Sequence, residues 1–407
     1  MGNLFAIFII LGILLLAQSA QSLRDGFRYL RYVRRSRAAD AGGYAPPAAV
    51  ILPVAGADAE LRVNAGAYLA QDYPQYQLVL VVGDENGAAC ARLKELLGGA
   101  AVRGGNCNAS LLVAGPSKAQ GQKVHNLLHG LQAVRPEAEV LVFADADARP
   151  GPDWLRSLVA PLEDRAVTVS TGFRWYLPGR SFVSQLRAAW DTSIATFLGE
   201  QDCSFPWGGS MAILRAEFDR LEVRARYWAS TVSDDYGLGR AVHDHGGRIR
   251  FEPRCLVASR EDSSFAELLR WTNRQIIITR VYAARLWALG LAAHGLYAAT
   301  FICGFFVLLD PAMAWERICV AVALAAVLGL GMAKGRIREI VALEIFPQER
   351  ELLARYGKRY WQLTLLVPWM MLWNFVVAGF ARTIEWSGVC YRLRSDREVE
   401  VVSRGGR

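Results

Sequence analysis

The chain has 407 residues, of which 53% are apolar and 21% charged, with a formal net charge of +8. It is too long for one ordinary compact domain, rich in apolar residues for a soluble enzyme, and too polar to be membrane helices alone. The basic excess lies beside apolar segments, in Arg24, Arg28, Arg31, Arg34, Arg35 and Arg37 and again in Lys334, Arg336 and Arg338. That placement suits anionic lipid headgroups and the positive-inside rule and argues against nucleic acid as a partner.

Leu4 to Ala20 is an almost unbroken apolar run with no basic residue before it and a basic stretch after it. The charge order predicts an uncleaved transmembrane anchor over residues 1–22, N-terminus outside; a cleaved signal peptide is the alternative. From Pro46 to about Arg260, short apolar runs alternate with amphipathic stretches. Ala49–Val54, Gln77–Val82 and Glu139–Ala144 read as buried parallel strands, and Glu60–Ala70, Ala88–Leu97 and Lys123–Val134 as helices between them. This alternation predicts an α/β sheet layered by helices, with ligands bound beyond the carboxyl ends of the strands.

Three further apolar stretches follow, about Leu286–Leu309, Ile318–Ala333 and Leu363–Ala381. A bilayer core needs about 20 residues of helix, so the first is long enough, the second is short, and Pro368 kinks the third. Residues 283–393 therefore read as a membrane region with two or three transmembrane or re-entrant helices, and residues 394–407 as a basic tail. Four full crossings would leave that tail outside, against the charge rule, so one segment is expected to be re-entrant or interfacial. The seven cysteines, Cys203 among them, form no CxxC pair or zinc-ligand spacing, and are expected to be free thiols in a reducing cytoplasm. Asn108-Ala109-Ser110 matches a glycosylation sequon, which a cytoplasmic location makes irrelevant.

Three acidic sites carry the candidate chemistry: Asp84-Glu85 after the second strand, Asp145-Ala146-Asp147 after Ala144, and Asp234-Asp235 before a helix. Two carboxylates two residues apart, directly after a buried strand, can converge on Mg2+ or Mn2+ that is also bound by phosphate oxygens. A carboxylate at a helix start can take the proton of an acceptor hydroxyl, and either Asp235 or Asp234 is placed to do so. Lys118 and Lys123 add positive charge for donor phosphates. No GxxxxGK[ST], no GxGxxG after a strand and no GxSxG elbow occurs, which disfavours P-loop enzymes, dinucleotide enzymes and serine hydrolases.

The order Asp84, Asp145-Ala146-Asp147, Asp235, then Arg270-Trp271 resembles the D, D, D, (Q/R)xxRW series of ceramide glucosyltransferase and its bacterial family 2 relatives. The resemblance covers roughly Pro46 to Tyr282 and includes Leu69–Pro74, Lys118–Leu127 and the glycine loop Trp207-Gly208-Gly209-Ser210. It implies an inverting, metal-dependent transferase of the GT-A fold: a mixed, mainly parallel sheet layered by helices, with transmembrane helices at both ends and the domain 46–282 in the cytoplasm.

Under that resemblance Asp84 recognises the nucleotide base with the backbone near Pro53 and Val54. Asp145 and Asp147 hold ribose and metal, Lys123 and Gly208 line the substrate site, and Asp235 is the base. Arg270 and Trp271 lie at the membrane face and help close the donor site. Where the motif has Gln or Arg, three positions before Arg270, this chain has Glu267. The implied function is transfer of a sugar, most simply glucose, from a UDP-sugar to a membrane lipid such as ceramide or diacylglycerol, in a bacterial inner membrane. A polysaccharide-building enzyme and an inactive membrane scaffold are the alternatives.

Overall fold

The computed structural model describes residues 2–39, 42–56, 59–98, 106–200, 204–310 and 314–405; Cys203 lies outside them. The other six cysteines are free. The chain divides into two compact units. One comprises Met1–Val33, Tyr176–Phe197 and Arg260–Ala381, the other Arg34–Trp175, Leu198–Ser259 and Arg382–Arg407.

The second unit is built on a seven-stranded sheet. Its strands are β1 (Ala48–Val54), β2 (Tyr76–Val82), β3 (Cys107–Val113), β4 (Val140–Ala144), β5 (Val169–Tyr176), β6 (Ser210–Leu214) and β7 (Ile249–Ser259), in the order β3-β2-β1-β4-β6-β5-β7. Strands β3, β2, β1 and β4 run parallel, and β6 lies antiparallel to both β4 and β5. The sheet is mixed, mainly parallel and layered by helices, as expected. The runs without polar alternation in β1, β2 and β4 follow from burial on both faces. Val50, Leu52, Leu78 and Val142 pack with Trp154 and Leu158 on one side; Ile51, Val79, Leu141 and Phe143 meet Val124, Leu127 and Trp228 on the other. Strand β3, absent from the sequence reading, is the sheet's edge. Its residues are only partly buried, so it lacks the apolar run that marks β1, β2 and β4, and it carries the Asn108-Ala109-Ser110 sequon.

Helix Gln122–Gly130 lies tight against the sheet. A Cβ on Gly130 would come 2.6 Å from Ile51 Cγ2 and 3.0 Å from Val81 Cγ2, so only glycine permits that approach. Its first turn is thereby fixed near the carboxyl ends of the strands, where Gly83 faces the Gln122 side chain.

The expected end of the membrane region and the basic tail are corrected here. Residues 383–404 form a three-stranded antiparallel sheet of β8 (Thr383–Trp386), β9 (Val389–Ser395) and β10 (Glu398–Arg404). Val389, Tyr391 and Leu393 turn inward while Arg392 and Arg394 face solvent, a two-residue period hidden by the high arginine content. Ser387 (φ 50°) and Gly388 (φ 75°) supply the positive-φ pair of a two-residue hairpin turn. The sheet is tied to the second unit: Tyr391 Oη accepts from Gln122 N at 3.0 Å, Arg404 Nη1 donates to Gln122 Oε1 at 3.2 Å, and Arg240 pairs with Asp396. Tyr391→Phe removes the acceptor of the Gln122 amide, and is expected to cost about 1–2 kcal/mol, read as a lower thermal unfolding midpoint.

The first unit is helical. Among the described residues three helices are long and apolar enough to cross a membrane: Asn3–Ala38, Ala284–Leu309 and Ala314–Ile345. A bent pair, Arg359–Leu365 and Val367–Phe380, meets at 59° and makes a fourth if it is one span. The break falls where Pro368 occupies the first turn of the second segment, the position proline tolerates best. The second apolar stretch is not short as a helix. It continues past Ala333 through Lys334, Arg336 and Arg338 to Ile345, 32 residues in all, because charged residues end an apolar run without ending a helix.

Candidate active site

The four parallel strands end at one edge of the sheet, where Asp84 follows β2 and Asp145 and Asp147 follow β4. Asp145 and Asp147 stand directly after β4. Tyr68 Oη donates to Asp145 O at 2.9 Å and Ala148 N to the same oxygen at 3.2 Å, closing the turn that presents both side chains. Arg174, on β5, faces them. Its Nη1 lies 2.9 Å from Asp147 Oδ2, its Nη2 3.4 Å from Asp145 Oδ2 and in close contact with Asp147 Oδ1. The guanidinium also lies 5.3 Å from the Trp207 ring centre. Burial favours the protonated form of Asp147, but the Arg174 charge and hydrogen bonds outweigh it and hold the carboxyl below its usual range.

Lys123 gathers the cluster from the other side. Its Nζ lies 2.8 Å from Asp145 Oδ1, 3.0 Å from Asp234 Oδ2 and 3.1 Å from Gly208 O. Burial disfavours the ammonium, yet the carboxylates of Asp145, Asp234 and Asp235 more than reverse this and keep the lysine charged. Asp234 behaves in the opposite way. Burial pushes its pKa up against the pull of Lys123, with Asp235 and Asp145 adding to the rise, to about 7.

Asp234 and Asp235 begin helix Asp234–Asp244 and differ sharply in exposure. Asp234 is fully buried behind Lys123, whereas Asp235 is half-exposed. Asp235 accepts from the Tyr236 amide at 2.8 Å, from the Gly208 amide at 3.4 Å, and from Ser233 Oγ. These bonds aim a carboxylate without covering it. The glycine loop explains itself: a Cβ on Gly208 would stand 2.6 Å from both Asp234 Oδ2 and Lys123 Nζ, and one on Gly209 2.7 Å from Asp145 Oδ2. Gly208→Ala is therefore expected to force the ion cluster apart, read as a lower thermal unfolding midpoint.

The residues present fit a divalent cation. Asp145 and Asp147 offer hard oxygen ligands, and a positive group, the Arg174 guanidinium, already sits against both. Among the described residues no group of three or more His, Cys, Asp or Glu side chains is gathered to hold a metal. A cation here would complete its shell with oxygens from elsewhere, the manner in which Mg2+ shares one or two carboxylates with substrate phosphates.

The structure thus brings together Asp145, Asp147, Asp234, Asp235, Lys123 and Gly208. Asp84 leaves β2 at the same edge, is exposed, and accepts from the Asn86 amide at 3.0 Å. Pro53 and Val54 end the neighbouring β1, Val54 paired with Val82. Arg270 and Trp271 belong to the other unit. There Trp271 packs edge-on against Tyr176 (5.5 Å) and Trp190 (5.2 Å), and lies 5.0 Å from the buried Arg187 guanidinium, while Arg270 is exposed. Glu267 has a local reason to be an acid. It completes a capping box with Ser264, taking the Ser264 amide at 2.8 Å, which with the Ser264 hydroxyl keeps its pKa low. Arg174 was missed by sequence reasoning; the available signal was a lone charged residue in the otherwise uncharged stretch Val169–Tyr176.

Among solved structures, the mannosyltransferase PcManGT from Pyrobaculum calidifontis in complex with GDP-Man and Mn2+ is similar at 18% identity, over 87% of this chain and 99% of that one, with a TM-score of 0.45. Glucosyl-3-phosphoglycerate synthase from Mycobacterium tuberculosis in complex with Mn2+ and UDP-glucose is similar at 15% identity, over 63% and 83%, with a TM-score of 0.39. The model of glycosyl transferase family 21 matches residues 6–399, nearly the whole sequence, and the chain belongs to that family.

Proposed function

We propose that this glycosyltransferase moves glucose from UDP-glucose to the hydroxyl of a membrane lipid such as ceramide or diacylglycerol, with inversion at the anomeric carbon. The observation that carries the reading is the cluster at the sheet's carboxyl edge: a paired Asp145 and Asp147, two cations against them, and a half-exposed, well-aimed Asp235. The acceptor oxygen attacks the anomeric carbon as the bond from that carbon to the diphosphate breaks, and UDP departs with the electron pair. Asp235 takes the acceptor's proton. Asp145 and Asp147 would hold Mg2+ or Mn2+, which when bound neutralises the diphosphate and eases its departure. Lys123 and Arg174 balance the carboxylates, and Asp234, buried behind Lys123, positions that lysine rather than reaching the acceptor. Asp84, with the backbone of Pro53 and Val54, would face the base.

A lipid acceptor is supported by the chain's own order. The second unit is flanked by apolar helices on both sides in sequence, and basic residues follow the first of them. In this reading the protein is integral to a bacterial inner membrane with its second unit in the cytoplasm. Strands β8–β10 pack with that unit, so the chain between Tyr282 and Thr383 crosses an even number of times. Helices Ala284–Leu309 and Ala314–Ile345 then form the crossings, and the bent pair at Pro368 re-enters its own side.

The test is incubation of the purified protein in detergent with a panel of UDP-sugars, Mn2+ and a total lipid extract, followed by mass spectrometry. A new sugar-bearing lipid, lost on adding a chelator, is the expected result. UDP release without product would leave donor use standing and sink the lipid acceptor; neither product nor UDP from any donor would favour an inactive scaffold.

A further inference from the structure

We propose that Lys334 and Arg338 form a binding site for the phosphate group of an anionic membrane lipid. Both lie on helix Ala314–Ile345, four residues apart and so on one face. They sit just beyond the apolar run that ends at Ala333, where a spanning helix reaches headgroup depth. Yet they do not reach into solvent, as basic residues at such depths ordinarily do. Lys334 is 7% exposed and Arg338 5%.

Their partners within the unit do not balance their charge. Lys334 Nζ donates to Ser22 Oγ at 2.6 Å and lies 5.4 Å from the Phe197 ring centre, both neutral groups. Nε and Nη1 of Arg338 have no hydrogen-bond partner among the described residues. The acids close by are engaged elsewhere. Glu339 pairs with Arg336, and Asp25, which acts on Lys334 through space, is half-exposed, accepts from Gln21 Nε2 at 3.0 and 3.1 Å and faces Arg28 at 3.6 Å. Gly26 holds the first helix close over the site, a Cβ there coming 3.4 Å from Lys334 Cγ.

Two buried cations without a counter-ion are strongly unfavourable, and at membrane depth such groups mark the path or site of an anion. A guanidinium fork with free donors beside an ammonium matches a phosphate, which accepts through several oxygens at once. The phosphate can be carried by a lipid or arrive free in solution. Its position beside the apolar run favours the lipid.

The full-length protein in mild detergent would be titrated with phosphatidylglycerol and with triacylglycerol, which has neither a phosphate nor an acceptor hydroxyl, adducts being counted by native mass spectrometry. No sugar donor is present, so the result is independent of the transfer reaction. Wild-type protein is expected to hold phosphatidylglycerol and not triacylglycerol. Arg338→Met should weaken that binding about tenfold, the loss of a charge-assisted hydrogen bond, and Arg338→Lys should retain most of it. If Arg338→Met fails to fold, the wild-type preference and Lys334→Met give the answer. Stabilisation by inorganic phosphate, lost in Arg338→Met and without lipid adducts, would uphold the phosphate site and reassign its source to solution. Equal binding of both lipids to wild type, or equal phosphatidylglycerol binding by wild type and folded variants with no effect of phosphate, would overturn the proposal.

Discussion

Asp235→Asn is expected to lower kcat about a hundred- to ten-thousandfold, the range for loss of a general base, while leaving the affinity for the nucleotide-sugar almost unchanged. Asparagine keeps the shape, and its one carbonyl oxygen still accepts from the Tyr236 amide, giving up only the long 3.4 Å bond from the Gly208 amide, so the loop should hold, but it cannot take the acceptor's proton. Asp147→Ala should fail differently. It removes one of the two proposed metal ligands and the nearest carboxylate of Arg174, so metal-dependent donor binding is lost along with turnover. Calorimetric titration of UDP-sugar with and without Mn2+, run beside turnover, separates the two. Equal loss of binding in both variants would remove the division of labour between base and metal ligands.

A second large effect is expected at Lys123, which is central to stability as well as chemistry. Its ammonium lies within 3.0 Å of Asp145 and Asp234 and is supported by Asp235. Lys123→Met would leave these carboxylates facing one another with no central cation, and breaking a buried pair from one side costs roughly 3–5 kcal/mol. Thermal unfolding in detergent should show a midpoint several degrees lower. The double change Lys123→Met with Asp234→Asn should recover part of the loss, because burial already pushes Asp234 towards its neutral form and the amide imposes no charge. If the single and double variants are equally unstable, lysine's contribution is packing of its stem, and the ion cluster is not what holds Gly208 and Asp234 together.

The cluster also shows why one aspartate of a consecutive pair is the better base. Asp234 and Asp235 are neighbours in sequence and indistinguishable by composition. Successive side chains at a helix start point about 100° apart, so one goes into the interior and one towards the cleft. Burial and Lys123 claim the first, leaving the second half-exposed with its oxygens aimed by two amides and a hydroxyl.

What the sequence by itself determined was whatever a single local pattern carries. The apolar runs of β1, β2 and β4 announced buried parallel strands because both faces of the sheet are covered, and Asp145 and Asp147 were legible because acids directly after such a strand stand at the ligand edge. The apolar runs from Leu4 to Ala20 and from Leu286 to Leu309 were equally plain, since spanning a bilayer needs length and composition only. Tertiary structure decided what depends on partners distant in sequence. Arg174 joined the site only when β5 was laid in the sheet facing the end of β4, and no spacing rule connects the two. Strand β3 lacked a signal because an edge strand is only partly buried, and β8–β10 hid in a basic segment whose inward residues matter only against their neighbours. Glu267 looked like an anomaly until its bond to the Ser264 amide gave it a capping role. Lys334 and Arg338 read as ordinary boundary charges by sequence; only packing shows that they are buried without a paired carboxylate among the described residues, because burial belongs to the folded chain and not to the residue.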